Sequence, residues 1–292
     1  MEKLTITAKD GAAISALACN FGESGIKGIV IVCHGFGEHA AMYCEAAEAL
    51  GRGGYASILF DQRGHGAPPH GTKDWFGVTP SYESFLDDID SVAEAARLKA
   101  PGLPVALYGH SMGGNIAVNA LLRAAARIGP GEPAPISPGG YSCAILEAPW
   151  LELNRKLSPI IVGFSKLAGK VSSRLTTVNK LKPGALTSDP ERAERYISDP
   201  LYHGRISFRM FNGIEAGCKN ALDSAARLQV PVFVAYAGGD KVLCNDATLR
   251  FGREAGEMAT LMEYDSRHAI HNDMSREAFF RDAVAFLDAH CR

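Results

Sequence analysis

The chain lacks the usual marks of a secreted, membrane-spanning or nucleic-acid-binding protein. It has no C-x-x-C pair. Its seven cysteines (Cys19, Cys33, Cys44, Cys143, Cys218, Cys244 and Cys291) are odd in number and scattered, which fits reduced thiols in the cytoplasm better than a disulfide frame or a zinc site. The start Met1-Glu-Lys-Leu-Thr-Ile-Thr carries no apolar run, so no signal peptide is expected. The apolar runs, such as 29–33 and 160–162, are far too short to cross a bilayer. Excess charge is also missing: 30 Lys and Arg stand against 32 Asp and Glu, leaving no basic field for nucleic acid. Neither a G-x-G-x-x-G nor a Walker pattern occurs, and there is no internal repeat or low-complexity tract.

What is present is an ordinary globular composition, 47% hydrophobic and 21% charged over 292 residues, which excludes a collagenous, disordered or coiled-coil chain. A chain this long buries about three quarters of its surface and needs no disulfides to hold a core. Residues 4–8 and 13–19 alternate apolar and polar positions around Lys9-Asp10-Gly11, the signature of a tight hairpin. The pattern then changes. Strands are expected at 29–33, 56–60, 105–108, 143–146, 232–236 and 261–264, and helices at 40–53, 82–100, 115–127, 246–255 and 274–290. Continuous β-branched runs separated by helices of this length imply a mostly parallel sheet covered on both faces.

The loop 129–140, with four prolines, is a surface connection. Between 150 and about 220 the strand–helix rhythm stops, and helical pieces at 158–170, 190–197 and 208–219 are broken by Pro183-Gly184, Asp199-Pro200 and Gly204. This segment reads as a helical cap inserted over the sheet's carboxyl edge, with 1–149 and 221–292 forming the core. Its twelve Lys and Arg against six Asp and Glu make it +6, leaving −8 for the rest.

The strongest chemical signal is Gly109-His110-Ser111-Met112-Gly113-Gly114, set between an expected strand and an expected helix. G-x-S-x-G in that context is a nucleophile elbow: the glycines permit a sharp turn that lifts the Ser111 hydroxyl above the sheet edge. The helix N-terminus behind it favours developing negative charge. A serine needs a histidine to take its proton and an acid to hold that histidine, and with this elbow they follow in the order acid, then histidine. Asp240, after the strand 232–236 and Gly238-Gly239, is the preferred acid. Glu147, at the end of the strand 143–146, is its main rival, and Asp246 and Asp223 are local ones. His268 and His271 compete for the base. His268 is preferred, because His271 adjoins Asn272-Asp273, which resembles a helix N-cap. The spacing of the two histidines suggests metal only weakly, since no Glu or Cys nearby completes a ligand set. No metal and no cofactor is expected.

His34-Gly35-Phe36-Gly37-Glu38-His39 follows the first buried strand. In this setting the backbone matters most: Phe36 N–H and Met112 N–H are the candidate oxyanion-hole donors. His34 and His39 are read as hydrogen-bonding the loop and His110 as packing. Asp61-Gln62-Arg63-Gly64-His65-Gly66 is read as a loop braced by Asp61 and Arg63.

Together these motifs, with Gly239-Asp240-Lys241-Val242 and His268-Ala-Ile-His-Asn-Asp273, resemble the α/β-hydrolase superfamily. More narrowly, they resemble its monoacylglycerol lipase and lysophospholipase-like serine hydrolases, over about residues 28–290. The resemblance implies an α/β-hydrolase fold: a mostly parallel eight-stranded sheet, helices on both faces and a helical cap. A histidine followed after three residues by Asn and an acid matches His268 and Asn272-Asp273, which favours His268. The family's acid falls on Asp240 and its oxyanion donors on Phe36 and Met112. Two departures stand out: Glu147 sits where such proteins usually carry a small residue, and Phe36 is bulkier than usual.

The implied reaction is ester hydrolysis through an acyl-enzyme on Ser111, with a monoacylglycerol, lysophospholipid or similar acyl ester as the small-molecule substrate. Leu151, Leu157, Ile160, Ile161, Val162, Phe164 and Leu167 offer apolar surface for an acyl channel, and the basic cap allows transient contact with an anionic membrane surface. Alternatives are a short-chain or aryl carboxylesterase, a C–C hydrolase or acyltransferase using the same triad, and a binding module on an inactive scaffold.

Overall fold

Every position of 28–33 and 55–60 is apolar or small, so these segments have no polar face to offer solvent, and both form strands buried on two sides. The computed structural model describes residues 1–67, 73–127, 140–155 and 158–292. The prolines of the expected loop 129–140 and Leu157 lie outside the described residues. In chain order the elements are β1 (Glu2–Thr7), β2 (Ala13–Cys19), β3 (Gly28–Cys33), α1 (Cys44–Arg52), β4 (Tyr55–Phe60), α2 (Glu83–Lys99), β5 (Val105–His110), α3 (Met112–Ala126) and β6 (Ala144–Glu147). Then come α4 (Pro159–Val171), β7 (Thr176–Val178), α5 (Pro183–Leu186), α6 (Pro190–Ser198), β8 (Arg205–Ser207) and α7 (Phe208–Ser224). The chain closes with β9 (Val232–Ala237), α8 (Asn245–Ala255), β10 (Ala259–Tyr264) and α9 (Arg276–His290).

Eight strands form one sheet in the order β1-β2-β4-β3-β5-β6-β9-β10. The first hairpin is antiparallel, and β2 runs antiparallel to β4. From β4 to β10 every neighbouring pair is parallel. This is the expected α/β-hydrolase sheet. Alternate residues of β3 serve opposite cores, as the pleat requires. Ile29 and Ile31 pack with α2, α3, α7 and α8, whereas Val30 and Val32 pack with α1 and α9. Among the described residues, no helix is long and apolar enough to cross a membrane.

The segment between β6 and β9 holds α4 to α7 and a two-stranded antiparallel sheet, β7 with β8. The sequence shows no sign of this small sheet, because three-residue strands are too short to display alternation. α7 falls inside the expected insertion, yet its Met210, Ile214 and Ala221 are buried in the same core as α3. Asn119 of α3 also donates a hydrogen bond to Gly217 O (3.1 Å). The last helix differs from expectation as well. Its N-cap residue is Ser275, not the Asn272-Asp273 pair, because the Asp273 carboxylate is already engaged by Ser188, Ser266 and the Arg267 N–H.

α3 approaches β3 closely enough to exclude any side chain at its second residue. A Cβ on Gly113 would lie 2.0 Å from Cys33 O and 2.6 Å from His34 O, both backbone atoms that cannot swing away. Gly113→Ala is expected to push α3 off the sheet and lower stability by about 1–3 kcal/mol, measured by denaturant unfolding.

Candidate active site

The elbow is a strained bend. Ser111 takes φ 54°, ψ −115° between β5 and α3, a conformation that a residue with a Cβ rarely adopts. A Cβ on Gly109 would fall 2.4 Å from Gly113 O, so the turn closes only with glycine there. Ser111 N–H donates to Glu147 O (2.9 Å), and Ser111 O accepts from Asn115 N–H (3.1 Å) and Trp150 N–H (2.9 Å). The bend is thereby fixed to β6 and the segment behind it.

Ser111 Oγ lies 2.9 Å from His268 Nε2, and His268 Nδ1 lies 2.7 Å from Asp240 Oδ2. An ionised carboxylate only accepts, so Nδ1 carries the proton and Nε2 is free to accept the Ser111 hydroxyl proton. The Asp240 and His268 side chains are each 1% exposed. Asp240 Oδ1 accepts the N–H groups of Val242 (2.7 Å) and Leu243 (3.0 Å). Burial alone raises the Asp240 pKa, but the His268 charge and these hydrogen bonds outweigh it and hold the carboxyl below its usual range. For His268 burial works against the charged form, yet the Asp240 charge and hydrogen bond prevail and raise its pKa above 6.5. The segment between β6 and β9 steadies this loop through α5: His268 N–H donates to Ala185 O and Ala269 N–H to Leu186 O.

Phe36 and Ser111 line the same cavity. Met112 is the first residue of α3, so its N–H is one of the donors an α-helix leaves without an internal acceptor. Phe36 sits on a loop that is tied on every side. Gly35 N–H donates to the Glu38 carboxylate (2.8 Å), which also accepts from the Tyr43 and Tyr196 hydroxyls. Gly37 (φ +78°) passes so near His203 O that a Cβ would meet it at 2.0 Å. His34 is a scaffold group, its Nδ1 donating to Gly35 O (2.8 Å) and its Nε2 accepting from Gln62 N–H (3.0 Å). His39 pairs with Asp199 (2.8 Å). Asp61 accepts from Ala40 N–H (2.8 Å), and Arg63 binds Asp88 and Asp10. The loop carrying Asp61 and Arg63 is thus braced by both residues.

The two rivals for the triad turn out to be partners of each other. Glu147 is fully buried. Its carboxylate accepts His271 N–H (2.9 Å), His271 Nδ1–H (3.0 Å) and the Tyr108 hydroxyl. The Tyr43 ring stacks on His271 at 4.6 Å. His110 lies between the two pairs, its ring centroid 4.9 Å from both His268 and His271. The sequence suggests no role for this second pair beyond rivalry with the first, and the one sign of it is the out-of-place acid at 147. His110, Glu147 and His271 are the one group among the described residues with donor atoms close enough for a metal. The Glu147 oxygens and His271 Nδ1 are already spent on each other, so the set reads as a hydrogen-bonded pair. The remaining rivals stand apart: Asp246 lies in the first turn of α8, and Asp223 pairs with Lys219.

Above Ser111 opens a cavity of about 950 Å³, walled by Phe36, Trp150, Ile161, Phe208, Phe211 and Val242 among others. Of the apolar cap residues expected to line it, only Ile161 does so among the described residues. Leu151 belongs to the core, and Ile160, Phe164 and Leu167 point outward at 83%, 61% and 65% exposure.

A family model described as serine aminopeptidase, S33, matches residues 24–275. The chain belongs to this family. It is 27% identical over 267 residues to the monoacylglycerol lipase of Mycolicibacterium smegmatis, covering 90% of this chain and 89% of that one. To phospholipase YtpA of Bacillus subtilis it is 26% identical over 265 residues, covering 90% and 95%. Among solved structures, the monoacylglycerol lipase of Paleococcus ferrophilus superposes with a TM-score of 0.80 at 27% identity, covering 99% of this chain and all of that one. A soluble variant of the Saccharomyces cerevisiae monoglyceride lipase, bound to a substrate analogue, gives 0.81 at 24% identity over 100% and 95%, a likeness of fold.

The second pair has a pH signature. Burial raises the Glu147 pKa, but His271 and its hydrogen bonds overcome this and bring it from 4.5 to about 2. The stabilisation from Glu147 is therefore complete above pH 4.5 and lost as pH falls through about 2. His271 is raised above 6.5, the Glu147 charge outweighing burial, so its share is complete below pH 6.5 and lost at higher pH. Glu147→Gln is expected to cost about 3–5 kcal/mol. The stability gap to the wild type should be widest between pH 4.5 and 6.5, read by thermal unfolding across pH.

Proposed function

We propose that this protein is a serine hydrolase cleaving carboxylic esters of the monoacylglycerol or lysophospholipid kind through an acyl-enzyme. The observation that carries this reading is the Ser111–His268–Asp240 relay at the floor of a large, mostly apolar cavity. In this mechanism His268 Nε2 takes the Ser111 proton as Oγ attacks the ester carbonyl, and Asp240 stabilises the resulting imidazolium. Phe36 and Met112 N–H hold the oxyanion. His268 then protonates the departing alcohol, and water, deprotonated by the same imidazole, releases the acid. Each oxyanion donor contributes roughly 3–4 kcal/mol of transition-state stabilisation.

The family's description speaks of an aminopeptidase, but the cavity favours an ester. Capture of a free α-ammonium calls for a carboxylate near the nucleophile, and among the described residues the walls carry Arg155, Lys180, Lys182 and Lys241 with no Asp or Glu. We assign 150–220 to the cap that shapes acyl selection. On α4, small Ser165, Ala168 and Gly169 are buried while Ile160, Phe164, Leu167 and Val171 form an exposed apolar stripe, suited to resting transiently on a lipid surface. Seven unpaired thiols favour a cytoplasmic setting.

Two experiments test the reading. A fluorophosphonate probe should label the wild type and leave Ser111→Ala unmodified, and that variant should lose roughly 10³-fold or more in kcat on p-nitrophenyl esters. Rates should keep rising with acyl length beyond four carbons; a sharp optimum at two to four carbons would instead identify a short-chain esterase. Because the base must be neutral to act, kcat/KM should rise with pH along an acid limb centred above 6.5, set by the raised His268 pKa.

A further inference from the structure

Among the described residues, the cavity above Ser111 carries charge of one sign only. Arg155, Lys180, Lys182 and Lys241 line it, and no described carboxylate does. The ion pairs of the cap engage Arg192, Arg195 and Lys219 instead. Lys180 Nζ lies 5.1 Å over the Tyr202 ring, a contact that leaves its charge in place. The four cations come from three separate segments. Lys241 directly follows Asp240, and Lys180 and Lys182 lie between β7 and α5. Arg155 comes just after Leu153, which bridges to Leu243. Cations converging from several sides on a concave wall of low polarity focus a positive field into it. An anion inside gains, a neutral group gains nothing and a cation is repelled.

We infer that the cavity selects acyl esters whose polar end is negatively charged, a single-chain ester bearing a phosphate above all, over neutral esters of equal chain length. The inference rests on the ester-hydrolase reading and adds the charge of the substrate to it. The acyl chain lies against Ile161, Phe208 and Phe211, and the anionic end meets the lysines at the rim. The same chemistry has two sources, a phosphate on the substrate itself or an anionic lipid surface around a neutral substrate, and the inference commits to the first.

The test compares decanoyl lysophosphatidate with 1-decanoylglycerol, both monomeric, at ionic strengths of about 0.02 M and about 0.3 M, between which screening shortens markedly. The expected ratio of kcat/KM, anionic to neutral, is about ten or more at low salt, falling severalfold at high salt. Lys180→Gln, Lys182→Gln and Lys241→Gln should each lower that ratio about two- to fivefold, mainly through KM. A wild-type ratio near one, or a ratio indifferent to salt, overturns the inference without any variant being needed. So does a ratio of one combined with faster cleavage of 1-decanoylglycerol on phosphatidylglycerol vesicles than on phosphatidylcholine vesicles, since the cations then read a surface. Failure of the ester-hydrolase reading looks different: no ester of either charge is cleaved and Ser111 takes no fluorophosphonate.

Discussion

The bend at Ser111 is the constraint on which the rest of the molecule depends. A residue with a Cβ held at φ 54° stores of order 1–3 kcal/mol, and it persists because three backbone hydrogen bonds and two glycine contacts leave it no other place. The sheet order supplies the neighbours. β3, β5, β6 and β9 lie side by side and run parallel, so the loops bearing Phe36, Ser111 and Asp240 leave the sheet at one carboxyl edge, where open α/β sheets hold their sites. β6 has a second duty at this point. Its last residue, Glu147, holds the Ser111 N–H with its carbonyl and the His271 loop with its carboxylate. One residue thus connects Ser111 to the loop that carries His268.

That connection carries an electrostatic hazard, and the structure shows how it is contained. A buried carboxylate this close to His268 raises the basicity of the imidazole and is itself costly to bury. His271 answers both problems by pairing with Glu147 directly. His110, wedged between the two histidines, adds no charge, because burial brings its pKa down to about 4. The site therefore holds two acid–histidine pairs separated by a neutral ring. One pair faces the cavity through Ser111, and the other braces the loop from behind.

How much of this was legible beforehand follows from how local each determinant is. The elbow is written in five consecutive residues, because the turn's covalent geometry demands glycine at fixed offsets. The order of strands after it narrows the acid and the base to a few residues. Pairing those acids with those histidines is a different matter. Glu147 and Asp240 compete for His268 and His271 on paper, and only the packing of β6 beside β5 and β9 settles that Glu147 faces His271. The segment between β6 and β9 is legible as an interruption and illegible in detail. Its apolar content says nothing about which side of α4 turns inward, and the side that packs on α7 proves to be the one with the smallest residues, Ser165, Ala168 and Gly169. Close approach of two helices favours small side chains at the contact, so the large ones face outward. Of the expected α4 residues, Ile161 lines the cavity, whereas Ile160, Phe164 and Leu167 face outward.

The division of labour between the sheet edge and the segment between β6 and β9 follows from the chemistry. In the proposed mechanism, attack by Ser111, relay through His268 and Asp240 and capture of the oxyanion involve only the carbonyl carbon and its immediate oxygens. None of these contacts distinguishes one acyl ester from another at a distance of several bonds. Discrimination has to come from groups that meet the far ends of the substrate. Those groups are almost all supplied by the segment between β6 and β9 and by the loop beyond Asp240. Here apolar walls and cations share one cavity, a combination that suits neither a purely apolar ester nor a small polar one. An amphiphile satisfies both surfaces at once, its chain removed from water and its head group placed in a positive field.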